Sequence, residues 1–302
     1  MKPAAVVLAI VFAVPAWVAA QTTVDQKRPA APDGAVTIEN MAGSVKVTGW
    51  DKAEVQVRGS VGDGGELSFT GSSKRTHIEI ESDRNPMGVK SDLEVFVPAG
   101  SSVAVEGFQA TISVSGVVGS VSAETVNGSI SQTGAAKLVE LQSVNGDIDA
   151  AKGSGRIKAE AVNGSVVVRD SSGDLEASTV HGKLHVIGGS YDRAQIESVA
   201  GPVRFEANLS GRATLSIETV SGSVDLLLPA TISAEFQLSS FSGHISNELG
   251  PAAEKPNKWT PQTEVAFTTG SGGARITAET LSGAIGIRKR PQPGDPKKTE
   301  EK

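Results

Sequence analysis

A five-residue unit recurs through this chain at a nearly fixed interval, and no other feature narrows the possible folds so far. The unit is an apolar residue, a small or polar residue, glycine, any residue and an aliphatic residue. It reads Val126-Asn127-Gly128-Ser129-Ile130, then Val144-Asn145-Gly146-Asp147-Ile148, then Val162-Asn163-Gly164-Ser165-Val166. Later copies are Val180-His181-Gly182-Lys183-Leu184, Val199-Ala200-Gly201-Pro202-Val203 and Val220-Ser221-Gly222-Ser223-Val224. Phe241-Ser242-Gly243-His244-Ile245 and Leu281-Ser282-Gly283-Ala284-Ile285 follow; Met41 to Val45 is an early copy, and Phe108 to Ile112 carries Ala110 in the glycine slot. Starts at 108, 126, 144, 162 and 180 are each 18 apart, and the later gaps are 19, 21, 21 and 40. Self-similarity at a fixed period is the signature of a repeat architecture.

Each unit also carries a second apolar pair: Val121 and Ala123, Val139 and Leu141, Ile157 and Ala159, Leu175 and Ala177. The series continues as Ala194 and Ile196, Leu215 and Ile217, Phe236 and Leu238, Ile276 and Ala278. Alternation with a period of two marks a strand with one buried face. A polar column accompanies the pairs (Glu124, Gln142, Glu160, Ser178, Glu197, Glu218, Gln237 and Glu279), and these side chains are expected to face water.

Every unit therefore reads as two short strands and two corners. The Asn-Gly step makes one corner, where glycine is expected to supply a positive φ and Asn to tolerate it. The structural corner positions are Asn127, Gly128, Asn145, Gly146, Asn163, Gly164, Gly182, Gly201, Gly222, Gly243 and Gly283, and a second corner falls near Gly134, Gly155 and Gly173. Asn-Gly also favours antiparallel hairpins, but a hairpin meander would flank each turn with mirrored alternation, which is not present. The expectation is an all-β, right-handed parallel β-solenoid (β-helix) of about eight to ten coils of 18–21 residues, its hand following the general rule for parallel crossovers. Residues 61–105 break the rhythm and read as wider coils with a glycine-rich excursion at 62–65. The long unit 241–280 reads as carrying a loop near Gly250 to Pro261, whose prolines do not suit a central strand.

The ends divide the chain. Lys2, the apolar run Ala4–Val14, Pro15 and Val18-Ala19-Ala20 read as a signal peptide over 1–20, cut before Gln21. Residues 21–34 read as a flexible lead, 35–287 as the solenoid, and 288–302 as a disordered charged tail. The apolar run is about half the roughly twenty residues a span requires, so the protein is not read as an integral membrane protein. The expected location is exported: periplasmic, extracellular or at the cell surface. No cysteine is present, so no disulfide framework holds the fold. Net charge is −6; with the signal's +1 and the tail's +3 set aside, the body is near −10, a sign that repels a polyanion and argues against nucleic acid.

The recurring Val-Asn-Gly-x-Ile unit, the Leu93 to Pro98 run (Leu-Glu-Val-Phe-Val-Pro) and the exported start resemble the bacterial "putative-adhesin" domain family of unknown function, over about residues 35–287. The resemblance implies a single-stranded parallel β-helix and an envelope or surface location. It brings no catalytic residues with it.

Parallel β-helices also include polysaccharide lyases and hydrolases, whose chemistry needs carboxylates converging on one groove. The nearest candidates are Asp147 and Asp149 with Asp170 and Asp174, but their columns hold Ser, Lys and Arg in other units, as a solvated face would. His181 and His185 are spaced for a helix rather than a strand, so no metal site is read from them. No cofactor is expected. Among aromatics, Trp259 in the expected loop, with Trp50 and Tyr191, is the candidate binding set. The functional expectation is a non-enzymatic, adhesin-like binding or structural module with an envelope or surface partner, protein or glycan. Self-association through open solenoid ends and a polysaccharide-active enzyme are the alternatives.

Overall fold

The computed structural model describes residues 22–82, 88–256 and 259–291, so the expected signal peptide lies outside the described residues, as does the charged tail beyond Pro291. Twenty-two strands and no α-helix are present among the described residues. The fold is an all-β parallel solenoid built from two strand stacks that enclose one apolar core.

The regular part of the first stack comprises the N-terminal half of β7 (Ser102–Ser115), then β8 (Ser120–Thr125), β10 (Leu138–Ser143), β12 (Arg156–Ala161) and β14 (Ser172–Thr179). In the second stack the C-terminal half of β7 is followed by β9 (Ile130–Thr133), β11 (Ile148–Ala151), β13 (Val166–Arg169) and the start of β15 (Leu184–Ser198). All neighbours are parallel, and the register steps by one repeat: Leu138 lies over Ser120 and beneath Arg156, while Ile148 lies between Ile130 and Val166. The second apolar pairs all point inward; Val139 and Leu141 are fully buried, as are their equivalents.

The corner glycines are required for a reason other than the one expected. None of Gly128, Gly146, Gly164, Gly182, Gly201, Gly222, Gly243 or Gly283 has a positive φ. Instead, successive corners stack backbone on backbone. A Cβ on Gly146 would lie 1.9 Å from the carbonyl oxygen of Gly128, and one on Gly164 would lie 2.0 Å from that of Gly146. Gly43 of the early copy does have a positive φ, but in the regular coils the positive-φ column stands at the second corner, at Gly116, Gly134, Lys152, Asp170 and Gly188, again 18 apart. Two of these five are not glycine, although an L-residue is disfavoured there. The Asn side chains do contribute at the first corner: Asn145 donates to Asn127 and Asn163 to Asn145, each at 2.9 Å.

Three regions differ from the sequence-based expectation. Thr22–Pro29, read as part of a flexible lead, is strand β1, which pairs antiparallel with β3 (Glu54–Val61). Residues 61–105 are not wider coils. There β4 (Glu66–Ser72) and β5 (Arg75–Glu81) form an antiparallel hairpin, and β3 pairs antiparallel with β6 (Ser91–Pro98). These strands extend both stacks beyond β2 (Ala35–Trp50), which crosses from one stack to the other. The boundary expected at 287 also shifts, since β22 (Ile285–Lys289) includes Arg288 and Lys289.

The third departure is one of order. After β16 (Val203–Thr219) and β17 (Val224–Leu228), the next layer in space is not the next in sequence. β21 (Ala274–Thr280) stacks on β16, and β22 on β17; β18 (Ala234–Ser240) and β19 (Ile245–Asn247) lie outside them. β20 (Thr263–Thr269) then pairs antiparallel on the outer edge of β18, with Phe267 stacked on Phe236 at 4.5 Å. In that layer the polar-column position is Ser239, facing Glu279, rather than Gln237, which faces Thr277.

Candidate functional site

The residue that opens each repeat turns outward where the strand of the first stack ends. Val144 and Val162 are 40% exposed, Val220 46%, Phe241 52% and Leu281 54%, so these positions form an apolar ridge along the solenoid. Two residues earlier stands the polar column, in spatial order Glu106, Glu124, Gln142, Glu160, Ser178, Glu197, Glu218 and Glu279. Ridge and column are the walls of a shallow groove. Its middle is lined by Glu124, Val126, Gln142, Val144, Glu160 and Val162, and its far end by Glu218, Glu279, Leu281, Phe241 and Gln262.

The floor between the walls is a column of buried small residues: Thr125, Ser143, Ala161, Thr179, Ser198, Thr219, Thr280 and Ser240. Burying a hydroxyl requires a partner, and the corner carbonyls supply it. Ser143 Oγ donates to Gly128 O at 3.1 Å, Thr179 Oγ1 to Gly164 O at 2.9 Å and Ser240 Oγ to Gly283 O at 2.8 Å. The same hydrogen bond explains why Ser or Thr so often precedes the apolar-Asn-Gly step. Backbone groups of the floor are also spent between layers, as in Val144 N–H to Thr125 O and Val162 N–H to Ser143 O. The groove thus offers side chains and no free strand edge.

Charge is distributed unevenly over the two stacks. On the second stack, carboxylates are matched by guanidinium groups across layers: Asp149 with Arg169, and Asp225 with both Arg204 and Arg288. The contact raises the Arg288 pKa, mainly through its hydrogen bond to Asp225. Along the groove, Lys158 pairs with Glu160 at 3.1 Å, and its pKa is raised chiefly by that hydrogen bond, with Glu176 and Glu140 adding to it. Glu106, Glu124, Glu218 and Glu279 form no ion pair among the described residues.

The aromatic set proposed from sequence does not assemble. Tyr191 is a core residue, fully buried with its ring 6.2 Å from that of Phe205, and burial raises its pKa. It cannot meet a partner, a correction to the expected binding set. Trp50 ends β2 and is held in place: its Nε1 donates to Glu54 O at 2.9 Å and its ring stacks on Phe96 at 5.2 Å. Trp259 is 85% exposed, far along the chain in the segment between β19 and β20. A separate hollow near that segment is lined by Leu238, Pro251, Glu254, Lys255 and Val265.

The carboxylates weighed for catalysis are dispersed as well. Asp149 is in the second stack with Arg169, Asp174 is in the first with Arg193, and Asp147 accepts the Ser165 N–H at 2.7 Å. Among the described residues no group of three His, Cys, Asp or Glu side chains is placed to hold a metal, and no helix is long and apolar enough to cross a membrane. The groove was not recognised from sequence. Its signal was there, because the opening apolar residue of each unit stands one position out of phase with the buried Ser/Thr column.

The sequence profile of a family described as Toastrack DUF4097 matches residues 32–288. No curated protein matches the chain. Solved structures similar to it include a putative adhesin from Parabacteroides distasonis ATCC 8503, at 8% identity over 88% of this chain and 97% of that one, with a TM-score of 0.49. A putative adhesin from Bacteroides fragilis NCTC 9343 has 12% identity over 88% and 97%, with a TM-score of 0.37. A putative lipid binding protein from Parabacteroides distasonis ATCC 8503 has 12% identity over 88% and 96%, with a TM-score of 0.40.

Proposed function

The chain belongs to the Toastrack DUF4097 family, and from that premise we propose that it is an exported, non-enzymatic binding module of the cell envelope or surface that engages its partner along the groove of the first stack. The observation that carries this reading is the contrast between the two stacks. One face matches Asp149 and Asp225 with arginines. The other, although it holds the Lys158–Glu160, Arg193–Asp174 and Arg275–Glu235 pairs, leaves Glu106, Glu124, Glu218 and Glu279 without an ion pair among the described residues beside an exposed aliphatic ridge. Contiguous exposed apolar surface of this kind marks interaction sites in soluble proteins. Adhesin-like describes the reading: a long rigid rod that presents one continuous face.

The test is co-sedimentation of the purified mature protein with envelope fractions. Wild type should sediment, and Val220→Lys with Leu281→Lys, both at exposed positions, should abolish it while leaving the thermal transition in place. Equal sedimentation of the variant would remove the groove from the reading. Release of reducing or unsaturated ends from glycans by the protein would overturn the non-enzymatic assignment.

A further inference from the structure

We propose that the groove holds an extended polypeptide segment in which Lys or Arg alternates with aliphatic residues. The proposal rests on the groove being a binding face and adds the chemistry of its occupant. Three observations select it. First, the two walls differ in kind: Val199, Val220, Leu281 and Phe241 on one side, Glu197, Glu218 and Glu279 on the other. An extended chain sends successive side chains to opposite sides, so alternate residues would meet the ridge and the acids in turn.

Second, the lengths agree. Eight layers separate Val126 from Phe241, inclusive, which at about 4.8 Å per layer gives about 34 Å. Ten extended residues reach about 33 Å. Third, the floor excludes other modes. Its hydroxyls are bound to corner carbonyls and its backbone is spent between layers, so strand addition at this face has no free groups to use. The ridge is aliphatic apart from Phe108 and Phe241 near its two ends and offers few platforms for sugar rings, and the acids repel polyanions.

The experiment is fluorescence anisotropy on the full chain with a labelled decapeptide of alternating Lys and Val, against a decapeptide of the same composition in two blocks. The alternating peptide should bind saturably, and about tenfold more tightly than the block peptide, a difference of about 1.4 kcal/mol. The triple substitution Glu197→Gln, Glu218→Gln, Glu279→Gln should weaken it about tenfold, and so should Val220→Ser, Leu281→Ser, Phe241→Ser. The Gln set is isosteric and exposed, so a matching thermal transition keeps the comparison sound. Binding should weaken as salt rises from about 50 mM to about 300 mM. Equal affinity for both peptides, indifference to either triple substitution, or no saturable binding would overturn the proposal. If the decapeptide fails while envelope sedimentation still depends on Val220 and Leu281, the occupant is wrong and the binding face stands; if both fail, both readings go.

Discussion

The coils between residues 120 and 187 and those between 203 and 290 are made from the same repeat, yet they are assembled by different rules. In the first region each layer lies on its predecessor in sequence, at a step of 18. In the second, Val224 lies beneath Ile285, and the layer formed by β18 and β19 lies outside the one that follows it in the chain. The apolar patterns of the two outer layers are interchangeable: Ala274, Ile276 and Ala278 face Ala234, Phe236 and Leu238. Pattern therefore specifies the shape of a layer but not its place. Order is set by β20, which folds back antiparallel on one edge of β18 and leaves only the other edge for β21. β21 then bridges β18 to β16. Arg290 secures the arrangement, donating to Asn208 Oδ1 at 3.0 Å and to Leu227 O at 3.3 Å.

The largest effect should come from removing the inserted layer. A chain ending at Gly273 loses every pairing that joins β18 and β19 to the solenoid. In a solenoid each layer is stabilised by its neighbours, so residues 234–269 should lose hydrogen-exchange protection while 120–187 keep theirs. If 234–247 remained protected, the outer layer would have docked directly on β16. The two layers would then be exchangeable in fact as well as in pattern.

Within the regular region, the most damaging single change should be Gly146→Ala. The new methyl would meet the Gly128 carbonyl at 1.9 Å, and that carbonyl is backbone fixed by the layers on either side. A loss of about 3 kcal/mol is expected, at the upper end for overpacking. Gly211→Ala, where nothing lies within 4 Å, should cost little. Denaturant unfolding of both variants checks the pair. A small effect at Gly146 would mean that the corner stack can spread.

The period, the inward pairs and the corner positions were legible because side-chain burial repeats with the layers, and Val139 and Leu141 follow it. The cause of the corner glycines was not, since a glycine selected by φ and one selected by close approach look alike in a sequence. The left-handed column was hidden because Lys152 and Asp170 interrupt it. Layer order was not legible at all, because it depends on an antiparallel excursion outside the repeat. The groove is not legible because an apolar residue at Val144 and its equivalents suits a buried position as well as a ridge, and here it turns outward.

A smaller effect, of opposite sign, is expected at the second corner. Lys152 has a φ of 60° in a column where Gly134 on one side avoids the steric cost and Asp170 on the other shares it. Lys152→Gly should stabilise the regular region by up to about 1 kcal/mol, reduced by the added freedom of the unfolded chain. A loss of stability on chemical denaturation would show that the lysine stem makes compensating contacts in the column.

The smallest effect should arise at the joint between the two regions. His185 of β15 lies between Val167 on one side and Arg204 on the other, and its Nε2 is buried without a hydrogen-bond partner among the described residues. Burial lowers its pKa; the Arg204 charge adds to the shift, as does Arg169 more weakly, and Glu206 opposes it. Above about pH 6.5 the imidazole is neutral in folded and unfolded chains alike. As pH falls below that value, the unfolded chain takes up the proton first, so stability is lost until the pH passes the lower folded-state value. Thermal unfolding between about pH 7 and about pH 5 should therefore decline less steeply in His185→Gln than in wild type. Parallel declines in the two proteins would show that the joint tolerates the charge, and that the order change beyond it places no electrostatic constraint on the regular coils.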